Sequence, residues 1–351
     1  MTIRWGIIGC GDVTEVKSGP GFQKARGSEL IAVMRRTGRL AEDYAKRHGI
    51  SRWYDNADAL ISDPEIDAIY IATPPGSHLE YALKVCDAGK PVYVEKPMAR
   101  NFDECRQMVD SFRSSGLKLF VAYYRRALPR FLKVKEIVAL GLLGTVTTVA
   151  YRYAEPEWTI NPDHFPWRLG AAQSGGGIFF DMGCHALDIL DFILGPLIEV
   201  SGTASNRALQ YDVEDTVSMQ FRTEAGIQGV ASWDFASSTS EDHIKIKGTH
   251  GLVSLSVFGN EPVRLERAEV TEIFELPNPK HIQQPLIQTI VDDLLGKGQC
   301  PSRGESGART AKVMDKVVEG YYGSRASGFW DRIHSWPGRR KSNDIDPGES
   351  K

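Results

Sequence analysis

No part of the sequence approaches the roughly 18 consecutive apolar residues that a membrane-spanning helix needs. The apolar stretch that opens the chain is broken by Gly9 before a signal-peptide core develops, so no leader is expected. Cysteine is scarce and scattered: Cys10, Cys86, Cys105, Cys184 and Cys300 include no C-x-x-C pair. An odd, dispersed set supports neither a disulfide framework nor a structural zinc site, and it fits reduced thiols in a cytoplasmic protein. No H-x-x-x-H or H-E-x-x-H occurs, so no metal is expected. Positive charge is not in excess. The 42 Lys and Arg against 45 Asp and Glu leave a net charge of -3, which argues against a nucleic-acid partner. No internal repeat is evident.

What the sequence does have is alternation. With 351 residues, two domains are the natural expectation. In the first third, short apolar runs (Ile3 to Ile8, Glu29 to Met34, Ala68 to Ala72, Pro91 to Val94, Leu117 to Ala122) alternate with helical segments. The helices are expected at Leu40 to His48, Ala57 to Ile61 (capped by Asp55 or Asn56), His78 to Ala88 and Phe102 to Ser114. This order predicts an α/β fold beginning with a Rossmann-type doubly wound parallel sheet over residues 1–123. After a helix from Pro129 to Leu140 the pattern turns to strands punctuated by glycine and polar residues: Thr145 to Tyr153, Glu199 to Ala204, Thr216 to Phe221, Gly226 to Phe235, His243 to Lys247, Leu252 to Val257 and Val270 to Leu276. Helices are expected at His185 to Leu194, Pro285 to Leu295 and Glu305 to Tyr321. Residues 124–322 thus read as a C-terminal α/β domain on a large, mostly antiparallel open sheet, and residues 323–351 as a flexible tail. An open sheet is expected to expose a broad apolar surface suited to self-association.

Gly9-Cys10-Gly11-Asp12-Val13-Thr14 has the layout G-x-G-x-x-[G/A], with Thr14 in the last place. It follows the first strand, where Gly9 permits the tight turn. Gly11 lets backbone approach a pyrophosphate that the start of the next helix, Asp12 and Val13, helps to hold. Thr14 is larger than the usual residue, so strand and helix are expected to sit slightly apart. An NAD site places a carboxylate at the end of the second strand. Here Arg35 and Arg36 follow Met34, and a guanidinium suits a 2′-phosphate, so NADP is expected rather than NAD. A solvated basic turn is the alternative.

Three motifs then occur in order: Gly9-x-Gly11, Glu95-Lys96-Pro97, and Gly175-Gly176-Gly177-x-x-x-Asp181-x-Gly183-x-His185-x-x-Asp188. Together they resemble the glucose–fructose oxidoreductase / inositol dehydrogenase / rhizopine-catabolism (Gfo/Idh/MocA) family over about residues 3 to 322. The resemblance implies that Thr73 and Pro74 lie beside the nicotinamide and that the peptide before Pro97 is cis. Position alone puts Glu95 at the same sheet edge, and His78, at the start of the next helix, is expected to face the cofactor. The resemblance also implies that Lys96, Asp181 and His185 act at the sugar carbon oxidised or reduced, and that relatives assemble as homodimers or homotetramers through the C-terminal sheet.

The residues alone allow this chemistry. An ammonium stabilises an alkoxide, and a histidine moves a proton near neutrality. Asp181 and His185 are four apart and share a helix face, so the carboxylate is expected to orient the ring or hold a hydroxyl. By themselves the pair reads equally well as a helix cap beside an incidental histidine. Gly175 to Gly177 are expected to make the approach flexible and open. Arg126, Trp167 and Arg168, with Trp158 and His164, are candidates for shaping a sugar pocket. The expected function is NADP(H)-dependent interconversion of hydroxyl and carbonyl on a sugar, keto-sugar or polyol. Two readings stay open beside it: a non-catalytic dinucleotide sensor and a cofactor-retaining glycoside hydrolase.

Overall fold

Strands that read as unbroken apolar runs are buried on both faces, and that is how they are used. In the computed structural model, which describes residues 1–158, 166–325 and Phe329, every residue of Ala68–Ile71 and Val92–Val94 is buried. The first sheet is parallel, built from β1 (Ile3–Ile8), β2 (Ser28–Met34), β3 (Arg52–Tyr54), β4 (Ala68–Ile71), β5 (Val92–Val94) and β6 (Leu119–Val121). Its order is β3-β2-β1-β4-β5-β6, the Rossmann arrangement. The helices between are α1 (Asp12–Val16), α2 (Gly19–Lys24), α3 (Gly38–His48), α4 (Ala57–Ser62), α5 (His78–Asp87) and α6 (Phe102–Ser114). Asn56 caps α4 by accepting from the amides of Asp58 and Ala59, which decides between the two candidate caps. β3 was not expected. It is a three-residue edge strand with Trp53 exposed, too short to show a period.

The second sheet has eight strands: β7 (Val146–Pro156), β8 (Leu197–Ser205), β9 (Thr216–Thr223), β10 (Gln228–Ser237), β11 (Glu241–Gly248), β12 (Leu252–Leu255), β13 (Val263–Arg267) and β14 (Val270–Phe274). The order is β14-β13-β12-β11-β7-β10-β9-β8, and every neighbouring pair is antiparallel except β7 with β10. Strict alternation shows which face is covered. On β9, Val217, Met219 and Phe221 are buried while Ser218, Gln220 and Arg222 are exposed. Helix α7 (Pro129–Ala139) joins the two halves, followed by α8 (Ala171–Ser174), α9 (Cys184–Leu194), α10 (Gln284–Leu294) and α11 (Gly304–Tyr322). Helix α11 packs on β8 and on α9.

Two expectations change. The outer face of the second sheet is not broadly apolar. Its exposed side chains include Thr148, Ser201, Thr203, Ser218, Gln220, Arg222 and Lys245, with Val230 and Ile273 as large apolar exceptions. The chain after α11 is also not loose throughout, since Arg325 and Phe329 are both buried. Among the described residues no helix is long and apolar enough to cross a membrane. All five cysteines are free and buried.

Candidate active site

Register brings the sequence motifs to one edge. Ile8 pairs with Met34 on one side and Ile71 on the other, and Ile71 pairs with Val94. Gly9, Arg35, Ala72 and Glu95 therefore leave the sheet at the same end, where ligands of doubly wound folds bind. The amides of Gly9 and Cys10 both donate to the Met34 carbonyl (2.9 and 3.1 Å). Gly9 has φ of +90°, and a Cβ there would meet Thr73 Cγ2 at 2.7 Å. Thr14 does not push the turn open. It is fully buried, and its hydroxyl donates to Gly11 O (2.7 Å) and accepts from Gly11 N (3.0 Å), closing the turn on itself. The first helix is broken into α1 and α2 at Lys17–Ser18, because Pro20 opens the second piece. Asp12, Arg35 and Arg36 are exposed around this turn, and Val13 is half-buried.

A Cβ on Gly11 would have only Gly9 O near it, at 3.9 Å. The turn therefore leaves free space over its backbone, as a bound pyrophosphate requires. Thr73 is half-buried and Pro74 exposed at the same edge.

Two residues expected at the cofactor, His78 and Glu95, are buried beneath these loops. His78 is fully buried, with Nε2 2.7 Å from Thr73 O and Nδ1 3.2 Å from the carbonyls of Pro97 and Met98. Both ring nitrogens are engaged with backbone, so His78 ties the Thr73 loop to the Lys96 loop. Glu95 is buried too. Its Oε1 accepts from Tyr70 Oη (2.5 Å) and Gln283 Nε2 (2.7 Å). The Gln283 side-chain oxygen also accepts from Tyr93 Oη (2.9 Å), and the Gln283 backbone N–H donates to Lys17 O (3.3 Å). Sequence reasoning missed Gln283, which stands far along the chain with no motif around it.

The Lys96–Pro97 peptide is cis. Lys96 Nζ donates to Asp181 Oδ1 (2.5 Å) and to Asp181 O (3.1 Å). Arg168 Nε donates to the other carboxylate oxygen (2.8 Å), and the Arg168 guanidinium lies 4.7 Å over the Trp167 ring. Burial opposes charge on both members of the pair, but each offsets it for the other. The pKa of Lys96 is raised and that of Asp181 lowered, so both are held ionised. Asp181 sits in a π-helical turn, Phe179–Gly183, that runs into α9.

His185 opens α9 and is buried, its ring met edge-on by Tyr124 (5.4 Å) and Phe258 (5.7 Å), with Tyr123 further off. Burial, then the charges of Arg125 and Lys96, push its pKa well below the usual histidine value. The expected Asp181–His185 contact is not made. Both carboxylate oxygens are taken by cations, and His185 Nδ1 has no partner among the described residues.

The pocket candidates divide. Arg126, singled out by the family resemblance, is buried and bonded to Asp188 (2.8 to 3.0 Å), Asp191 (3.0 Å) and Pro301 O (3.1 Å). Its charge is consumed in packing α9, with burial the main force raising the Asp188 pKa to about 6. Arg125 next to it is buried as well. Its guanidinium lies 4.5 Å over Phe258 and 4.9 Å over Tyr124, the same rings that flank His185. Nε donates to Val257 O (3.0 Å), and Nη1 is buried with no partner among the described residues. The arginine doublet was visible in the sequence, but which rings and carboxylates each member would meet was not. Trp158 Nε1 donates to Glu155 (2.9 Å). His164 lies outside the described residues.

The geometry has independent company. The profile described as "Oxidoreductase family, NAD-binding Rossmann fold" matches residues 3–123, and "GFO/IDH/MocA C-terminal domain" matches residues 131–254. The chain is 38% identical to oxidoreductase P35 of Formosa agariphila over 89% of its length and 97% of that protein's. It is 28% identical to the 1,5-anhydro-D-fructose reductase of Ensifer adhaerens, over 90% and 95%. Among solved structures, aldose-aldose oxidoreductase from Caulobacter crescentus superposes with a TM-score of 0.81 at 24% identity, covering 90% of this chain and 96% of that one. The parallel sheet with its glycine turn is thus a nicotinamide-dinucleotide-binding fold, and the chain is an oxidoreductase that belongs to the Gfo/Idh/MocA family.

Proposed function

We propose that the protein interconverts a hydroxyl and a carbonyl on a sugar, keto-sugar or polyol, using NADP(H). The observation that carries this reading is the half-buried Lys96–Asp181 ion pair, with the buried His185 in the next turn of chain, at the edge where the glycine turn also opens. The space over Gly11 and the exposed Arg35 and Arg36 suit a dinucleotide bearing a 2′-phosphate. When bound, the dinucleotide supplies or takes up hydride at its nicotinamide. Lys96, kept charged by Asp181, donates to the substrate oxygen and stabilises alkoxide character. His185, kept neutral by burial and by two nearby cations, takes the hydroxyl proton in the oxidative direction and returns it in the reductive one. Asp181 maintains the charge of Lys96 rather than steering His185. Arg125 and Trp167 shape the pocket; Arg168 braces Asp181. A sugar substrate is further supported by the relative named a 1,5-anhydro-D-fructose reductase.

The test is turnover of 1,5-anhydro-D-fructose and a panel of keto-sugars, aldoses and polyols with either dinucleotide, followed by the absorbance of reduced nicotinamide. His185→Ala should cut turnover more than about 100-fold while dinucleotide affinity holds. Unchanged turnover rejects the assignment. Arg35→Asp should weaken or reverse a preference for NADP(H), and a wild-type enzyme equally efficient with both dinucleotides rejects that preference.

A further inference from the structure

The backbone carrying Asp181 and the backbone carrying Lys96 come from different halves of the chain, and something must hold them in register. Buried groups outside the ion pair meet at that seam. Glu214 is fully buried, and both its carboxylate oxygens accept from Gly177 N (2.9 and 2.8 Å), four residues before Asp181. The same carboxylate accepts from Tyr322 Oη at the end of α11. Arg325, just beyond, donates through Nη2 to Arg100 O (2.5 Å), four residues after Lys96, and pairs with Asp315 (3.0 Å). Asn101 Nδ2 in turn donates to Arg325 O (2.5 Å). The Arg325 guanidinium lies 4.2 Å over Phe180, the neighbour of Asp181, and 5.2 and 5.6 Å from the rings of Tyr322 and Phe329. Arg100 O is also the atom nearest to Gly175 where a Cβ would stand, at 2.6 Å.

We infer that Arg325, with Tyr322 and Glu214, is a strap of positioning residues that sets the Lys96–Asp181 pair. Arg325 holds the Lys96 loop by Arg100 O and covers Phe180. Glu214 holds the glycine segment by Gly177 N and is itself held by Tyr322. Loosening either end lets the two backbones part by a fraction of an ångström, and a short ion pair weakens steeply with such a change. The inference rests on the proposed catalytic role of that pair, but its test does not.

The test reads the pair directly, through acetic anhydride labelling of Lys96 quantified by peptide mass spectrometry across pH. Only the unprotonated amine reacts, so pairing with Asp181 suppresses labelling. Asp181→Asn is the positive control. Arg325→Met and Tyr322→Phe should speed Lys96 labelling about tenfold, the effect of one unit of lysine pKa. Lysines elsewhere should keep the wild-type rate, and Arg325→Lys should restore most of the protection. Lys96 labelling within twofold of wild type in folded Arg325→Met, or in Tyr322→Phe should the first variant not fold, overturns the strap. A uniform rise at all lysines overturns it too, since that is general destabilisation. Turnover of Lys96→Met, measured alongside, bears only on the catalytic reading. An active Lys96→Met removes the pair's role in catalysis and leaves the labelling result standing.

Discussion

The molecule has two glycine clusters, one after β1 and one before the π-helical turn, and they use the missing side chain in opposite ways. At Gly11 a Cβ would point into space bounded only by Gly9 O at 3.9 Å. At Gly175, Gly176 and Gly177 a Cβ would strike Arg100 O at 2.6 Å, the Phe180 ring at 2.2 Å and Glu214 O at 2.1 Å. All three are buried. The second cluster is therefore neither open nor flexible. Its glycines allow protein to approach protein, whereas Gly11 leaves room for something that is not protein. A run of glycines signals only that a side chain is excluded; its surroundings decide what takes the place.

The sharpest way to break this contrast is Gly177→Ala. The added Cβ would stand against a backbone carbonyl, which cannot rotate aside as a flexible side chain would. The expected cost is about 3 kcal/mol or more, read from denaturant unfolding, and turnover should fall with it. A loss below about 0.5 kcal/mol would mean that the second cluster has slack, and the contrast would fail.

Glu214 offers a second measurement at the same place. Burial, only partly offset by its hydrogen bonds to Tyr322 and Gly177 and by the charge of Arg325, raises its pKa from 4.5 to about 7. The folded protein thus retains a proton that the unfolded chain releases between those two values. Stability from this group is greatest below pH 4.5, declines as pH rises to about 7, and is flat above. Subtracting the pH–stability curve of Glu214→Gln from that of the wild type isolates this slope, at most about 1.4 kcal/mol per pH unit. A difference that does not vary between pH 5 and 7 would place Glu214 in a wetter, looser site than its packing against Gly177 implies.

The contrast also marks how far sequence reasoning reaches. Local rules located most of the fold, because the apolar runs Ile3–Ile8 and Ala68–Ile71 are buried on both faces and the alternating β9 on one, as their patterns announce. The strands β3 and β13 escaped, one only three residues long and one a five-residue alternation whose two apolar residues are set among three charged ones. In the site, motif positions gave Gly9, Gly11, Lys96, Asp181 and His185, and the fold brings their segments together. Spacing could not tell that His78 and Glu95 would be buried beneath the loops and bonded to protein. Nor could it tell that Asp181 turns to Lys96 and Arg168, or that Arg125 lies over the rings that flank His185 while Arg126 is bonded to Asp188 and Asp191. Each of those depends on which partner arrives from far along the chain, as Gln283, Glu214 and Arg325 do. Long-range partners leave no local period to read.

The smallest expected effect on the fold is Gly11→Ala, and its smallness is the point. Gly11 has φ of -159° and ψ of -157°, extended backbone that alanine adopts without strain. Its amide is bonded to Thr14 Oγ1 and its carbonyl accepts from the same hydroxyl, and neither bond involves the position of a Cβ. The folded chain should tolerate the change within about 0.5 kcal/mol. What the methyl occupies is the space over the turn, so dinucleotide affinity should fall about tenfold or more, equal to about 1.4 kcal/mol. Binding can be followed by titration without any sugar, which keeps the result independent of the substrate. If Gly11→Ala instead unfolds the protein as Gly177→Ala is expected to, both clusters are packing glycines. If it changes neither stability nor affinity, the space over Gly11 is not where the dinucleotide comes closest, and the cradle must be sought nearer Gly9.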